Sequence, residues 1–148
     1  MRAVVQRSFA ARVEGGGEIV GALSRGLVAF VGAERGDGDE DVRWIATKII
    51  GFRVFSDEAG KMSRAFADIG GELLVVSELT LCGDVRKGRR LSFEAATAPL
   101  ETACRVHEIV ALARTDGLAV ATGRFGVDRQ VHVHNDGPVT LVLDSRAR

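Results

Sequence analysis

Residues 2–7 and 10–13 alternate between apolar and polar or run apolar. This period of two predicts half-buried strands. The stretch Glu14-Gly15-Gly16-Gly17-Glu18 breaks the pattern with a turn, and Ile19-Val20-Gly21-Ala22-Leu23 resumes it, so the opening reads as a meander. Gly26 to Gly32 is almost continuously apolar, as a buried strand would be.

The period then changes. Gly36-Asp37-Gly38-Asp39-Glu40-Asp41 joins flexible glycines to acids suited to a helix N-terminus, and Val42, Ile45, Ile49 and Phe52 recur at helical spacing. A helix is predicted near 39–51, followed by a short strand at Phe52-Arg53-Val54-Phe55 and a turn at 56–60. Leu73 to Leu81 reads as a central strand. Pro99 stands where a first helical turn tolerates proline, and Leu100, Ala103, Val106, Val110 and Ala113 form an apolar stripe ending at Asp116-Gly117. Strands near 118–123, 129–135 and 138–144 close the chain. The predicted fold is a single α+β domain over residues 1–148, a mixed or antiparallel, barrel-like sheet carrying two main helices.

Composition narrows the partners. With 148 residues and 46% hydrophobic content the chain can bury one core, and 20 basic against 20 acidic residues give no global field toward RNA or anionic membranes. Nucleic-acid contact must therefore be local. No apolar run approaches the roughly 20 residues that span a bilayer, and the N-terminus reads as a strand, so a cytoplasmic protein is expected. Cys82 and Cys104 match no metal spacing and read as buried, structural thiols.

Candidate chemistry lies in a few places. Asn135-Asp136-Gly137-Pro138-Val139-Thr140 puts a Gly-Pro dipeptide between two strand-like runs. Proline cannot donate to a sheet ladder, so it marks a bulge, an edge or a special peptide bond, although a hairpin turn is the plainer reading of these residue types. Ser77 and Thr80 carry hydroxyls at a strand end, with no activating base evident nearby. Their plainer role is to satisfy local backbone groups. His132 and His134 share one strand face, which suits a surface pair better than a metal site lacking a third ligand, and His107 reads as a helix flank. Arg86, Lys87, Arg89 and Arg90 form the dense basic run, with Phe93 shortly after. A solvated loop is the ordinary reading of such a run, but phosphate binding with base stacking needs the same ingredients.

Several blocks together point to a family. The opening Met1-Arg2-Ala3-Val4-Val5-Gln6-Arg7, then Gly60-Lys61-Met62, Ser77-Glu78-Leu79-Thr80-Leu81, Lys87-Gly88-Arg89-Arg90-Leu91-Ser92-Phe93, Thr122-Gly123-Arg124-Phe125-Gly126 and the Gly-Pro segment occur in a characteristic order. The chain resembles the D-aminoacyl-tRNA deacylases, proofreading enzymes that remove D-amino acids from tRNA, from Met1 to about Ser145. Three departures accompany the match: Glu78 and Leu79 replace the usual Gln and Phe, Leu91 the usual Pro, and Val127 and Arg129 the usual Ala and Met.

The resemblance implies an ester hydrolase acting on the 3′ acceptor end of aminoacyl-tRNA, glycine mischarged on tRNA included, without cofactor or metal. It implies a homodimer in which Gly137 and Pro138, joined by a cis bond, reach into the partner's site and sort substrates by chirality through main-chain oxygens. Arg7 would hold that motif. Main-chain N–H groups near Ser77 to Thr80 and at Phe93 would stabilise the oxyanion, and the terminal 2′-hydroxyl would help water attack. Arg7, Glu78, Leu79, Phe93, Asn135, Lys87, Arg89 and Arg90 are then the substrate-binding candidates, with Phe93 a platform for the terminal adenine. A carboxylate at 78 repels phosphate yet accepts a hydrogen bond from ribose. Two rivals stand beside this reading: a non-catalytic module that binds RNA ends, and a small-molecule hydrolase using Thr80 or Ser77 with a histidine.

Overall fold

In a computed structural model, which describes residues 1–86 and 89–148, the chain runs β1 (Arg2–Gly15), β2 (Glu18–Leu23), β3 (Gly26–Gly32), α1 (Asp39–Gly51), β4 (Phe55–Ser56), β5 (Met62–Arg64), β6 (Glu72–Ser77), α2 (Pro99–Thr115), β7 (Val120–Thr122) and β8 (Arg129–Asp144). β1 organises the sheet. Its first half pairs antiparallel with β3, its second half with β2, and its other edge carries β8 along nearly its whole length. β3 pairs with β6 and β6 with β7, both in parallel.

This mixed sheet nearly closes into a barrel, because β2 comes back against β7. Gly21 makes the approach feasible: a Cβ there would lie 2.4 Å from the Thr122 carbonyl oxygen. The inner strands are buried on both faces, as parallel strands usually are. Leu27, Val31, Leu73 and Val75 point to a core shared with Val42, Ile45 and Ile49 of α1 and Val106, Ile109 and Val110 of α2. Val28, Leu74 and Val76 point the other way and meet Ala11, Val13 and Leu23.

α1 matches its predicted span, and its first turn shows why the acids stand there. The Asp41 carboxylate accepts a hydrogen bond from the Gly38 N–H at 2.9 Å, satisfying a donor that the helix leaves free. α2 faces the core differently from the predicted stripe. Its inward residues are Thr102, Val106, Ile109, Val110 and Ala113, whereas Leu100 is 80% exposed. At about 100° per residue, Leu100 lies on the far side of the helix from Thr102.

Three strand predictions change. The short strand at 52–55 reduces to Phe55–Ser56, paired with β5. The central strand stops at Ser77 instead of Leu81, and Leu79–Cys82 forms a single 3-10 turn capped by the Glu78 side chain. The third change concerns the Gly-Pro segment, which is neither a hairpin nor a gap between two strands. β8 passes through it as one strand, with a bulge opposite β1 where the register shifts between Gln6↔Thr140 and Ser8↔Asn135. The Asn135 side chain spans the bulge, accepting from the Val139 N–H at 2.9 Å and donating to Thr140 Oγ1 at 3.2 Å. The Gly137–Pro138 bond is cis, and both residues are exposed.

Candidate active site

The ends of β3 and β6 form the floor of the candidate site. Carboxyl ends of parallel strands commonly border ligand crevices, because the ladder stops there and connections fan outward. Ser77, 7% exposed, is the last residue of β6 and pairs with Val31. The chain then turns tightly past Gly32, where a Cβ would lie 2.7 Å from the Glu78 carbonyl oxygen. Glu78 Oε1 accepts from both the N–H and the hydroxyl of Thr80, which holds the turn.

Beside Ser77 opens a cleft of about 190 Å³ walled by Leu79, Pro99, Thr102, Phe125, Val127 and Arg129. Arg129 reaches in from the start of β8. Its Nη1 donates to Ser77 Oγ and its Nη2 to the Ser77 carbonyl oxygen, both at 2.9 Å. Across the cleft, Thr102 is 2% exposed and its hydroxyl has no partner among the described residues. Mostly apolar walls with a few placed polar groups are what small ligand sites look like.

A second cluster gathers on the β8 bulge. Arg7 Nε donates to the Asp136 carbonyl oxygen at 3.0 Å, its guanidinium pairs with the Asp136 carboxylate at 3.1 Å, and Nη1 donates to the Val54 carbonyl. Arg7 Nη2 would lie 3.1 Å from a Cβ on Gly137. Register separates this cluster from the cleft. Arg7 pairs with Leu27 and Leu27 with Leu73, while Ser77 stands four residues further along β6, roughly 13 Å by the rise of a strand. The bulge in the middle of β8 and the cleft at the carboxyl end of β6 are thus separated within one chain.

Residues 4–144 match the family model described as D-Tyr-tRNA(Tyr) deacylase. The chain belongs to this family. It is 57% identical to a D-aminoacyl-tRNA deacylase of Sorangium cellulosum, the match covering 99% of this chain and 98% of the relative. A protein of the same description from Thermotoga petrophila is 49% identical, over 98% of this chain and 97% of its own. Among solved structures, the c-Myc DNA unwinding element binding protein superposes with a TM-score of 0.90 at 36% identity, covering 97% of this chain and 98% of that one. The fold is also that of a probable eukaryotic D-amino acid tRNA deacylase, with a TM-score of 0.78 over 96% and 97% of the two chains at 18% identity.

For this member of the deacylase family, the structure divides the residues named from sequence into three groups. Ser77 and Leu79 border the cleft, with Glu78 and Thr80 on the turn beside it. Arg7, Asn135, Gly137 and Pro138 meet at the bulge. Phe93, 38% exposed, packs near Gly83 and is not among the cleft walls. Arg89 and Arg90 are exposed, Arg86 is tied to the Asp84 carboxylate, and Lys87 lies outside the described residues. Thr80 and Ser77 have no histidine as a hydrogen-bond partner among the described residues, their side-chain partners being Glu78 and Arg129. Glu78 is named from sequence for the ribose, whereas in the free protein its carboxylate is engaged by Thr80. A carboxylate is a weak base toward an alcohol, so this contact serves as a cap rather than as activation.

Thr102, Phe125 and Arg129 were not named as site residues from sequence. The signal for Arg129 was nevertheless present, since it alternates with Val131 and Val133 on the inward face of β8. His132 and His134 are exposed on the opposite face, His132 lying 3.4 Å from Glu14 and His134 edge-on to Phe9. Cys82 is buried and burial pushes its thiol up, whereas Cys104 is exposed, contrary to the expectation of two buried thiols. Cys104 occupies the outer face of α2, one residue round from the partly buried Ala103. No helix among the described residues is long and apolar enough to cross a membrane.

Proposed function

We propose that this protein hydrolyses the ester of D-aminoacyl-tRNA, and of glycine mischarged on tRNA, working as a homodimer. The observation that carries the reading is the separation of the bulge from the cleft in a chain of this family. Gly137 and Pro138 are exposed and lie away from Ser77 within one chain, which supports a second copy bringing them to the cleft. Each cleft is then completed by the partner's main-chain oxygens, which hold the α-amino group and leave no room for the side chain of an L-amino acid. Selection by shape and backbone suits an enzyme whose substrate ester is already activated, because the chemical demand is small and the discrimination demand large.

In this reading the 3′ acceptor end enters over the Ser77–Thr80 turn, with Arg89 and Arg90 near the phosphates and the terminal 2′-hydroxyl positioning the attacking water. Main-chain N–H groups near Ser77 to Thr80 stabilise the developing oxyanion. The enzyme is expected to act in the cytoplasm, where aminoacyl-tRNA is used.

The test is hydrolysis of D-aminoacyl-tRNA and its L counterpart by the purified protein, with its mass in solution measured in parallel. Rapid release from the D ester, a spared L ester and a dimeric mass are expected. Binding of tRNA without release would favour the rival reading of an RNA-end module. Replacing the terminal ribose by its 2′-deoxy form should abolish turnover, and unimpaired release would remove the 2′-hydroxyl from the mechanism.

A further inference from the structure

We propose that Arg129 is a positioning residue that turns the Ser77 hydroxyl into a hydrogen-bond donor aimed at the ester carbonyl oxygen of the substrate. The inference rests on the hydrolytic reading above and adds two side chains to it. A serine hydroxyl has one proton to give and lone pairs to receive. Arg129 Nη1 occupies the receiving side at 2.9 Å, and its Nη2 fixes the Ser77 main chain through the carbonyl oxygen at the same distance. Ser77 is 7% exposed, and among the described residues its hydroxyl proton has no acceptor. A buried donor without an acceptor is costly unless a ligand supplies one. The open side of Ser77 is the cleft, where the Thr102 hydroxyl is likewise unspent.

Arg129 strengthens this donor as well as orienting it. Its guanidinium is half-buried and has no carboxylate in salt-bridge range among the described residues, so its charge is not cancelled locally. A hydroxyl that accepts from a cation becomes a better donor, because hydrogen bonds in a chain polarise one another. Such a donor gains most where negative charge grows, which in ester hydrolysis is the carbonyl oxygen as water adds. The gain is larger in the transition state than in the bound substrate, so it should appear in kcat more than in KM. The step needs nothing beyond water: water adds to the carbonyl carbon, the C–O bond to the ribose breaks, the ribose oxygen leaves with a proton, and Ser77 forms no covalent bond.

The experiment compares kcat, KM and melting temperature for wild type, Ser77→Ala, Arg129→Met, Arg129→Lys and the Ser77→Ala/Arg129→Met double variant on D-aminoacyl-tRNA. Ser77→Ala and Arg129→Met should each lower kcat about tenfold or more with little change in KM, and the double variant should fall no further than the worse single. Arg129→Lys, which can still donate to one Ser77 oxygen, should recover part of kcat, a rescue that a purely structural role would show in melting temperature alone. Losses that multiply, or a Ser77→Ala enzyme with wild-type kcat, would overturn the proposal while leaving the deacylase reading intact. If Arg129→Met does not fold, the cycle is run with Arg129→Lys and judged by the same additivity. A wild-type protein that releases nothing from D-aminoacyl-tRNA overturns both.

Discussion

Arg7 and Asp136 are joined twice, through the Asp136 carbonyl oxygen at 3.0 Å and through its carboxylate at 3.1 Å. The pair ties the middle of β1 to the bulge of β8 where the regular ladder is interrupted. Both side chains are mostly buried, at 13% and 17% exposure, so water screens the pair little. Removing one partner leaves the other charge without compensation.

Arg7→Met is therefore expected to lower unfolding stability by about 2 kcal/mol, less than the full effect of breaking a wholly buried pair because some solvent remains. Arg7→Lys should lose less but still fall short of wild type, since an ammonium cannot reproduce the planar fork that reaches Asp136 and Val54 together. Urea unfolding at neutral pH measures both. A stable Arg7→Met protein would mean that the bulge is held by Asn135 alone.

Part of this arrangement is legible in the sequence. The β1 strand and the α1 span follow from period and capping acids, which are local signals, whereas the arginine beside the Gly-Pro segment is an implication of the family resemblance. What escaped depended on partners distant in sequence. Strand β6 ends at Ser77 because its pairing with β3 ends there and the Glu78 cap takes over, and an apolar run through Leu81 hides that event. The bulge in β8 is likewise a property of two strands, visible from Asn135 to Thr140 only as turn-forming residues. Thr102 sits on the buried face of α2 while Leu100 sits outside, and hydrophobicity alone orders those two the other way.

Glu78 holds the hydroxyl and the N–H of Thr80, so Thr80 is committed to a local turn. Thr80→Ala should keep substantial deacylation, with the rate falling by a small factor as the turn loosens. Loss of all turnover would restore Thr80 as a nucleophile. Glu78→Gln keeps an acceptor oxygen on the same framework and should retain the cap, whereas Glu78→Ala should cost roughly 1 kcal/mol, as lost caps do. Comparing acceptor-end affinity of Glu78→Gln with wild type then isolates the effect of the negative charge on the incoming ribose and phosphates.

Thr102 offers a prediction of opposite sign. Its hydroxyl is buried and unpartnered in the free protein, an arrangement that costs about 1–3 kcal/mol relative to a satisfied group. Thr102→Val replaces that hydroxyl with a methyl of similar size among the cleft's largely apolar walls. The variant should melt at a higher temperature than wild type, while Thr102→Ser, which keeps the hydroxyl and loses a methyl, should melt lower. Calorimetric melting of the ligand-free protein decides it, and a destabilised Thr102→Val would show that the hydroxyl is satisfied in solution.

Asp41 supplies the pH dependence. Its carboxyl is held below the ordinary aspartate range chiefly by the hydrogen bond from the Gly38 N–H, aided by the Ser145 hydroxyl and by the positive charges of the amino terminus and Arg148, while burial opposes the shift. A depressed folded-state value means that the folded protein holds the charged form more firmly than the unfolded chain. The stabilisation is complete above the unfolded value near 4 and fades as pH falls through the lower folded value. Asp41→Asn, which cannot gain or lose that charge, should be less stable than wild type at pH 7 by roughly 1 kcal/mol, a typical worth for a helix-end contact. The gap should narrow below pH 4 because wild type alone loses its contribution there. Urea midpoints for both proteins at pH 7, 4 and 3 test the sign, and a gap that widens on acidification would mean that Asp41 is held protonated by its surroundings instead.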